Sequence, residues 1–193
     1  MKKLVVLVLT AGTFFTANAQ VQFGVKAGAN FSTFTGSAAD GAKMLVGFHG
    51  GAFSRIPILS SCFLQPELLY SGQGAKGTVN ETDFSVNQSY LNVPVLFQYQ
   101  HSSGLFAETG PQMGFLLAAK VKSGGISEDV KSSYKSTDFS WAFGLGYRIP
   151  SIGAGIDARY NMGLTNVPSE DMAGESLKNS VFQVGLFYTF GVK

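Results

Sequence analysis

The sequence predicts an all-β fold: an eight-stranded antiparallel up-and-down transmembrane β-barrel with short periplasmic turns and long extracellular loops. Three observations lead there. In Gln22 to Thr33 the apolar residues Phe23, Val25, Ala27, Ala29 and Phe31 alternate with small or polar ones, the period of a strand with two unlike faces. Charged residues make up 13% of the chain, well under the roughly 25% of a typical soluble domain, while Gly (24), Phe (17) and Tyr (7) are abundant. Beyond the N-terminal segment no apolar run reaches the length of a spanning helix. A closed barrel is the other structure that satisfies its backbone in lipid.

The N-terminus predicts the compartment. Met1-Lys2-Lys3 is positive, Leu4 to Phe15 is mostly apolar, and Ala17-Asn18-Ala19 supplies small residues at a signal-peptidase spacing. The expected organisation is a signal peptide over 1–19 and an outer-membrane β-barrel domain over 20–193. Cleavage after Ala19 leaves Gln20 first; it is not Cys, so lipoprotein attachment is unsupported. Without Lys2 and Lys3 the 14 basic residues fall to 12, equal to the 12 acidic ones. That balance lacks the basic surplus of a nucleic-acid surface. Cys62 is the single cysteine, which excludes an intramolecular disulfide and a thiol metal cluster and reads as a buried, inert thiol.

Strand one is the opening stretch, and Phe34 to Ala42 a loop. Strand two, Lys43 to Phe53, sets Met44, Val46 and Phe48 against His49 and Gly51, and Arg55 to Leu59, with Pro57, is a tight connection. Strand three, Ser61 to Gly72, places Leu64, Pro66, Leu68 and Tyr70 opposite Gln65, Glu67 and Ser71. Gln73 to Ser85 reads as a long polar loop. Strand four, Val86 to Gln100, opposes Leu91, Val93, Val95, Phe97 and Tyr99 to Gln88, Tyr90, Asn92 and Gln98. After the turn His101 to Gly104, strand five, Leu105 to Ala119, sets Met113, Phe115 and Leu117 against Glu108, Gly110 and Gln112. Lys120 to Ser136 is the longest loop and carries much of the charge. Strand six, Thr137 to Ile149, opposes Phe139, Trp141, Phe143, Leu145 and Tyr147 to Ser140, Gly144, Gly146 and Arg148, and turns at Pro150-Ser151. Strand seven, Ile152 to Leu164, sets Ile156, Ala158, Tyr160 and Met162 against Gly155, Asp157, Arg159 and Asn161. Thr165 to Asn179 is the last loop. Strand eight, Ser180 to Gly191, opposes Phe182, Val184, Leu186, Tyr188 and Phe190 to Gln183, Gly185 and Thr189. The strands are longer than the usual globular ones and suit a tilted crossing. The alternation of long and short connections is that of an outer-membrane barrel, and an even count places the first strand beside the last. Aromatics near strand ends, among them Phe23, Phe31, Tyr70, Tyr99, Tyr147, Tyr160 and Tyr188, fit interfacial girdles.

Size decides which face is inside. An eight-stranded bore holds side chains and little else, so the bulky apolar face points to lipid and the face rich in Gly points inward. Lys26, Glu67, Glu108, Arg148, Asp157 and Arg159 then share the lumen as a structural charge network, three acidic and three basic. A proton or ion path is the sharper use of such a set; a salt-bridged plug that fixes register is the plainer one.

No catalytic constellation, cofactor motif or metal-ligand spacing emerges. His49 falls on the inward face as a packing residue, and His101 lies in a turn; neither has a Ser and an acid in a triad setting. Gly153 to Ala158 spells GxGxxA but sits in an alternating strand with no helix after it. Asn80-Glu81-Thr82 is a glycosylation sequon by spelling alone. The loop Lys120 to Ser136 reads as a solvated surface, with partner or polysaccharide contact as its alternative.

FGVKAGANFS from Phe23, GFHGGAF from Gly47, LQPELLYSGQG from Leu64, YLNVPVLFQY from Tyr90 and the terminal GLFYTF resemble the PorT-like outer-membrane β-barrel proteins of the Bacteroidota. The resemblance spans most of the chain and implies an eight-stranded barrel in the cell outer membrane. One departure is that the closing aromatic, Phe190, is followed by Gly191-Val192-Lys193. The expected function is non-enzymatic: an integral barrel with a side-chain-filled lumen and exposed loops, its surroundings the outer-membrane lipid, with a protein partner at loops or barrel wall. The alternative is an accessory component of a secretion or transport assembly. A lipid-active enzyme would need His49 as its base, and a soluble lipocalin-like barrel would need the bulky face inside.

Overall fold

The computed structural model describes residues 21–79, 82–169 and 175–191. The expected signal peptide and the first two residues of the sequon lie outside the described residues. Among the described residues nine strands and one short 3-10 helix follow one another: β1 (Gln22–Thr35), β2 (Lys43–Leu59), β3 (Cys62–Val79), β4 (Thr82–Gln100), β5 (Leu105–Ser123), β6 (Ile126–Asp129), the helix Lys131–Ser133, β7 (Thr137–Arg148), β8 (Ala154–Gly163) and β9 (Lys178–Thr189). All strands but β6 close a ring of eight in the order β1, β2, β3, β4, β5, β7, β8, β9. Every neighbouring pair is antiparallel, and β1 meets β9 from Gly24 opposite Thr189 to Thr35 opposite Lys178. The first and last strands are neighbours, as the even count requires.

The wall is inverted relative to a soluble domain. Phe23, Phe48, Leu145 and Leu186 are each more than 60% exposed, whereas Lys26 is 6%, Glu67 4% and Arg159 1% exposed. Bulky outward side chains leave a bore that small and polar ones fill, the arrangement lipid demands. No helix among the described residues is long and apolar enough to cross a membrane.

Four expected connections are built differently. Arg55 to Leu59 is not a turn: β2 runs on through Pro57, opposite Phe63, to Leu59. Its hairpin turn is Ser60-Ser61. Gln73 to Ser85 is not a loop either, because β3 and β4 stay paired from Gly72 opposite Ser89 to Val79 opposite Thr82. The 18 residues of β3 exceed the 9–11 of a tilted crossing, so this hairpin stands beyond the apolar wall with water on its outer face. Polar residues there satisfy a solvated ribbon, and Gly72, Gly74 and Gly77 hide its period; Gly74 takes φ +136 beside the Val86 carbonyl. Lys120 to Ser136 likewise carries β5 to Ser123, and β6 folds back on it, Lys120 opposite Asp129. Finally, Phe34 belongs to β1 and is buried against Ala75, Val86 and Val167, roofing the bore at the loop end. Register shifts between Met44 and His49 and at Ser89/Tyr90 mark where the extended strands bend out of the wall.

Candidate functional site

The lumen is built in levels, and inward positions on alternate residues supply each one. At its centre Lys26 (β1), Glu67 (β3), Glu108 (β5), Asp157 and Arg159 (both β8) meet. Lys26 Nζ lies 3.3 Å from Glu67 Oε1 and 3.2 Å from Asp157 Oδ2. The Arg159 guanidinium places its two terminal nitrogens 2.9 Å from the two Glu67 oxygens, and it donates to Glu108 Oε1 from Nε at 3.0 Å and from a terminal nitrogen at 2.6 Å. Gln65 donates to Glu67 at 2.8 Å. All five charged side chains are nearly free of solvent, so each ion is compensated by partners at bonding distance rather than by water.

Arg148, counted among the six lumen charges expected, is buried but stands apart from this cluster. It donates to Thr189 Oγ1 at 2.6 Å and sits 5.2 Å from the centroid of the Phe187 ring, and among the described residues it makes no ion pair. Arg55, which the sequence reading put in a turn, is a second inward arginine toward the same short-turn end. Its Nε donates to Gln98 Oε1 at 2.8 Å, its other nitrogens reach Gln22 and Gln100, and its guanidinium covers the Phe63 ring at 3.3 Å. The alternation His49, Gly51, Phe53, continued past Phe53, would have placed it inward.

Against Arg148 lies a cluster of three phenylalanines, Phe53, Phe106 and Phe187. Ring centroids are 6.1 Å apart for Phe53 and Phe187 and 5.8 Å for Phe106 and Phe187, both edge-on, the favoured aromatic geometry. Each ring occupies the place of an absent side chain: a Cβ on Gly24, Gly146 or Gly155 would strike Phe53, Phe106 or Phe187 respectively. These three inner-face Gly residues are therefore seats for rings, and Gly155 of the GxGxxA spelling is one of them.

On the other side of the charge cluster, amides take over. Asn30 Nδ2 donates to Ser71 Oγ at 2.9 Å and to the Gly72 carbonyl at 2.8 Å. Its Oδ1 accepts from Gln183 Nε2 at 2.9 Å and lies 2.7 Å from His49 Nδ1, so Nδ1 is the protonated nitrogen of a His49 held as a packing residue. His101 is exposed in its turn, bonded to Ser103. Neither histidine faces a serine with an acid behind it, and the described residues bring together no group of ligands fit for a metal. Asn179 Nδ2 donates to Asp138 Oδ2 at 2.9 Å, and Tyr90, Leu116 and Ala119 with Val130 and Tyr134 close the loop end. Burial pushes the Tyr134 phenol up from its ordinary pKa. Among the described residues the bore thus holds a paired charge cluster, packed rings and amides, with Asp157 Oδ1 and Arg148 Nε left without a partner.

Known proteins agree with this architecture. The outer membrane protein beta-barrel domain family matches residues 16–168. The crystal structure of Neisserial surface protein A is 16% identical, covering 87% of this chain and 97% of that one with a TM-score of 0.53. Ail, the attachment invasion locus protein of Yersinia pestis, is 19% identical over 88% of this chain and 98% of its own, at a TM-score of 0.47. At 16% identity the likeness to Neisserial surface protein A is one of fold alone. No curated protein matches the chain. With a closed ring of strands, an apolar exterior and a family match over most of its length, the chain belongs to the outer membrane protein beta-barrel domain family and resides in the cell outer membrane.

Proposed function

We propose that this protein is a non-enzymatic, non-conducting barrel whose task is to hold an ordered loop end outside the cell for interaction. The observation that carries the reading is the tie across the bore from Arg159 to Glu67, continued by the Phe53, Phe106 and Phe187 cluster. A channel needs a wet path; here the five central ions are paired to one another and the rings pack beside them. The charged set serves as a register-fixing plug, with Arg148 and Arg55 as separate anchors at the periplasmic end. Extension of β3, β4 and β5 beyond the apolar wall, with β6 added, makes the outer end a β-ribbon platform rather than a set of loose loops. Within the family, the motifs quoted above favour a PorT-like member, with residues 1–19 removed to leave Gln20 first.

Purified barrel in planar bilayers tests the closed bore: the expected result is no step conductance, and stable ion-selective steps would overturn it. Mild-detergent extraction of outer membranes tests the interaction role. Recovery of the barrel alone supports an autonomous platform, whereas a stoichiometric partner moves the assignment to a secretion or transport assembly.

A further inference from the structure

Four neighbouring strands bring three lysines to one level of the outer platform. Lys43 on β2 stands opposite Lys76 on β3, Lys76 opposite Ser85 on β4, and Ser85 opposite Lys122 on β5. All three lysines are exposed. With Asp83 and the Gly124-Gly125 turn they line a concavity of about 380 Å³. Like charges placed opposite one another destabilise a sheet, and Lys76 and Lys122 have no carboxylate within ion-pair distance among the described residues. Lys43 Nζ is held at 3.1 Å by Thr78 Oγ1, which in turn donates to Asp83 at 2.8 Å. The chain as a whole has nearly balanced charge, so a local row of cations is not a by-product of general basicity. Gly124 and Gly125, at φ +55 and +83, have nothing within 4 Å of a Cβ position and leave one wall open.

We infer that this cleft binds a polyanionic saccharide, one or two sugar rings bearing phosphate or sulfate groups. Its volume suits a small organic ligand rather than a single ion. The lysines answer the anionic groups, while Asp83 and Ser85 answer hydroxyls, which a bare anion lacks. Its height also fits: Lys76 lies six residues beyond Tyr70, whose ring is part of the outer wall, or about 20 Å further along the strand. That is above the hydrocarbon, where glycolipid headgroups and soluble glycans are both in reach. The inference rests on the reading that the loop end faces outside.

The test titrates the full barrel, folded in micelles, with octasulfated maltose, using maltose as the neutral control. Sulfated maltose should bind, more weakly as salt rises, and K76Q/K122Q should weaken it about tenfold with circular dichroism and the heat-shifted gel band unchanged. Equal binding of maltose, equal binding by K76Q/K122Q, or tighter binding of a DNA duplex of matched charge overturns the site. Repeating the titration in nanodiscs containing bis-phosphorylated lipid A identifies the source. Loss of soluble binding there, and its return with dephosphorylated lipid A, assigns the cleft to the membrane glycolipid; unchanged binding assigns it to soluble saccharide. Biotin labelling of Lys76 in intact cells keeps the two readings separable. An unlabelled Lys76 overturns the orientation, whereas a labelled Lys76 in a barrel that fails to bind overturns this cleft alone.

Discussion

Arg159 on β8 grips Glu67 on β3 through two parallel contacts of 2.9 Å, although three strands separate β8 from β3 in either direction around the ring. The pair spans the diameter of the bore and fixes opposite walls against each other. Because Arg159 also neutralises Glu108, its removal leaves three carboxylates facing Lys26 alone. Arg159→Met is expected to lower the unfolding free energy by about 3–5 kcal/mol, the cost of uncompensated buried charge. Asp157→Asn brings the cluster to two charges of each sign and keeps an acceptor for Lys26, so it should cost about 1 kcal/mol or less. Urea unfolding in micelles, followed by the heat-shifted gel band, measures both; equal losses would show that the five groups do not act as a set.

The ring seats make a second, sharper expectation. A methyl group at Gly155 collides with the end of the Phe187 ring, and overpacking of this kind costs about 1–3 kcal/mol. Phe187→Leu shortens that ring and relieves this part of the collision, while the approach to the Tyr147 carbonyl oxygen stays. The double substitution Gly155→Ala/Phe187→Leu should therefore be less destabilised than the sum of the two singles, by a coupling of at least about 0.5 kcal/mol. Additive losses in the same urea assay would mean that the glycine and the ring are not partners.

Much of this was legible in the sequence. Period two assigned Lys26, Glu67, Glu108, Asp157 and Arg159 to one face because the spanning strands are regular there, and size then sent that face inward. What the sequence hid were contacts between strands far apart in the ring: alternation says that Arg159 and Glu67 face the bore, not that they meet. It also hid Phe53, Phe106 and Phe187, since large rings on the inner face run against the rule that small residues fill a narrow barrel, until the Gly opposite each is considered. Arg55 was lost because Pro57 reads as a turn signal, yet a proline at a register irregularity can sit in a strand. The outer hairpins were lost because above the membrane both water and chain favour polar residues, and the apolar half of the pattern disappears.

Extension of the hairpin β3 to β4 can be checked by proteolysis. Lys76 lies in a paired ladder, opposite Lys43 on one side and Ser85 on the other, whereas Lys131 is exposed in the short 3-10 helix. A protease needs local opening of the chain it cuts. Limited trypsin treatment of the folded barrel should cleave after Lys131 about tenfold or more faster than after Lys76. Faster cutting after Lys76, read by mass spectrometry of the fragments, would return residues 73–85 to the status of a loose loop.

Trp141 reports which face meets lipid, because it is the single tryptophan of the chain. It lies on β7 between the outward Phe139 and Phe143, half-buried, with its ring nitrogen donating to Thr109 Oγ1 at 2.8 Å. That bond satisfies the indole N–H in a medium without water, a condition a lipid-facing tryptophan must meet. In bilayers, acyl chains brominated near mid-depth should quench its fluorescence strongly while aqueous iodide leaves it nearly unchanged. Thr109→Val keeps the shape of the side chain but removes the acceptor, so it should shift the emission and cost about 1 kcal/mol. Strong iodide quenching with no effect of brominated lipid would put Trp141 in water, and with it the whole row Leu145, Tyr147 and Phe143, reversing the inside and outside of the barrel.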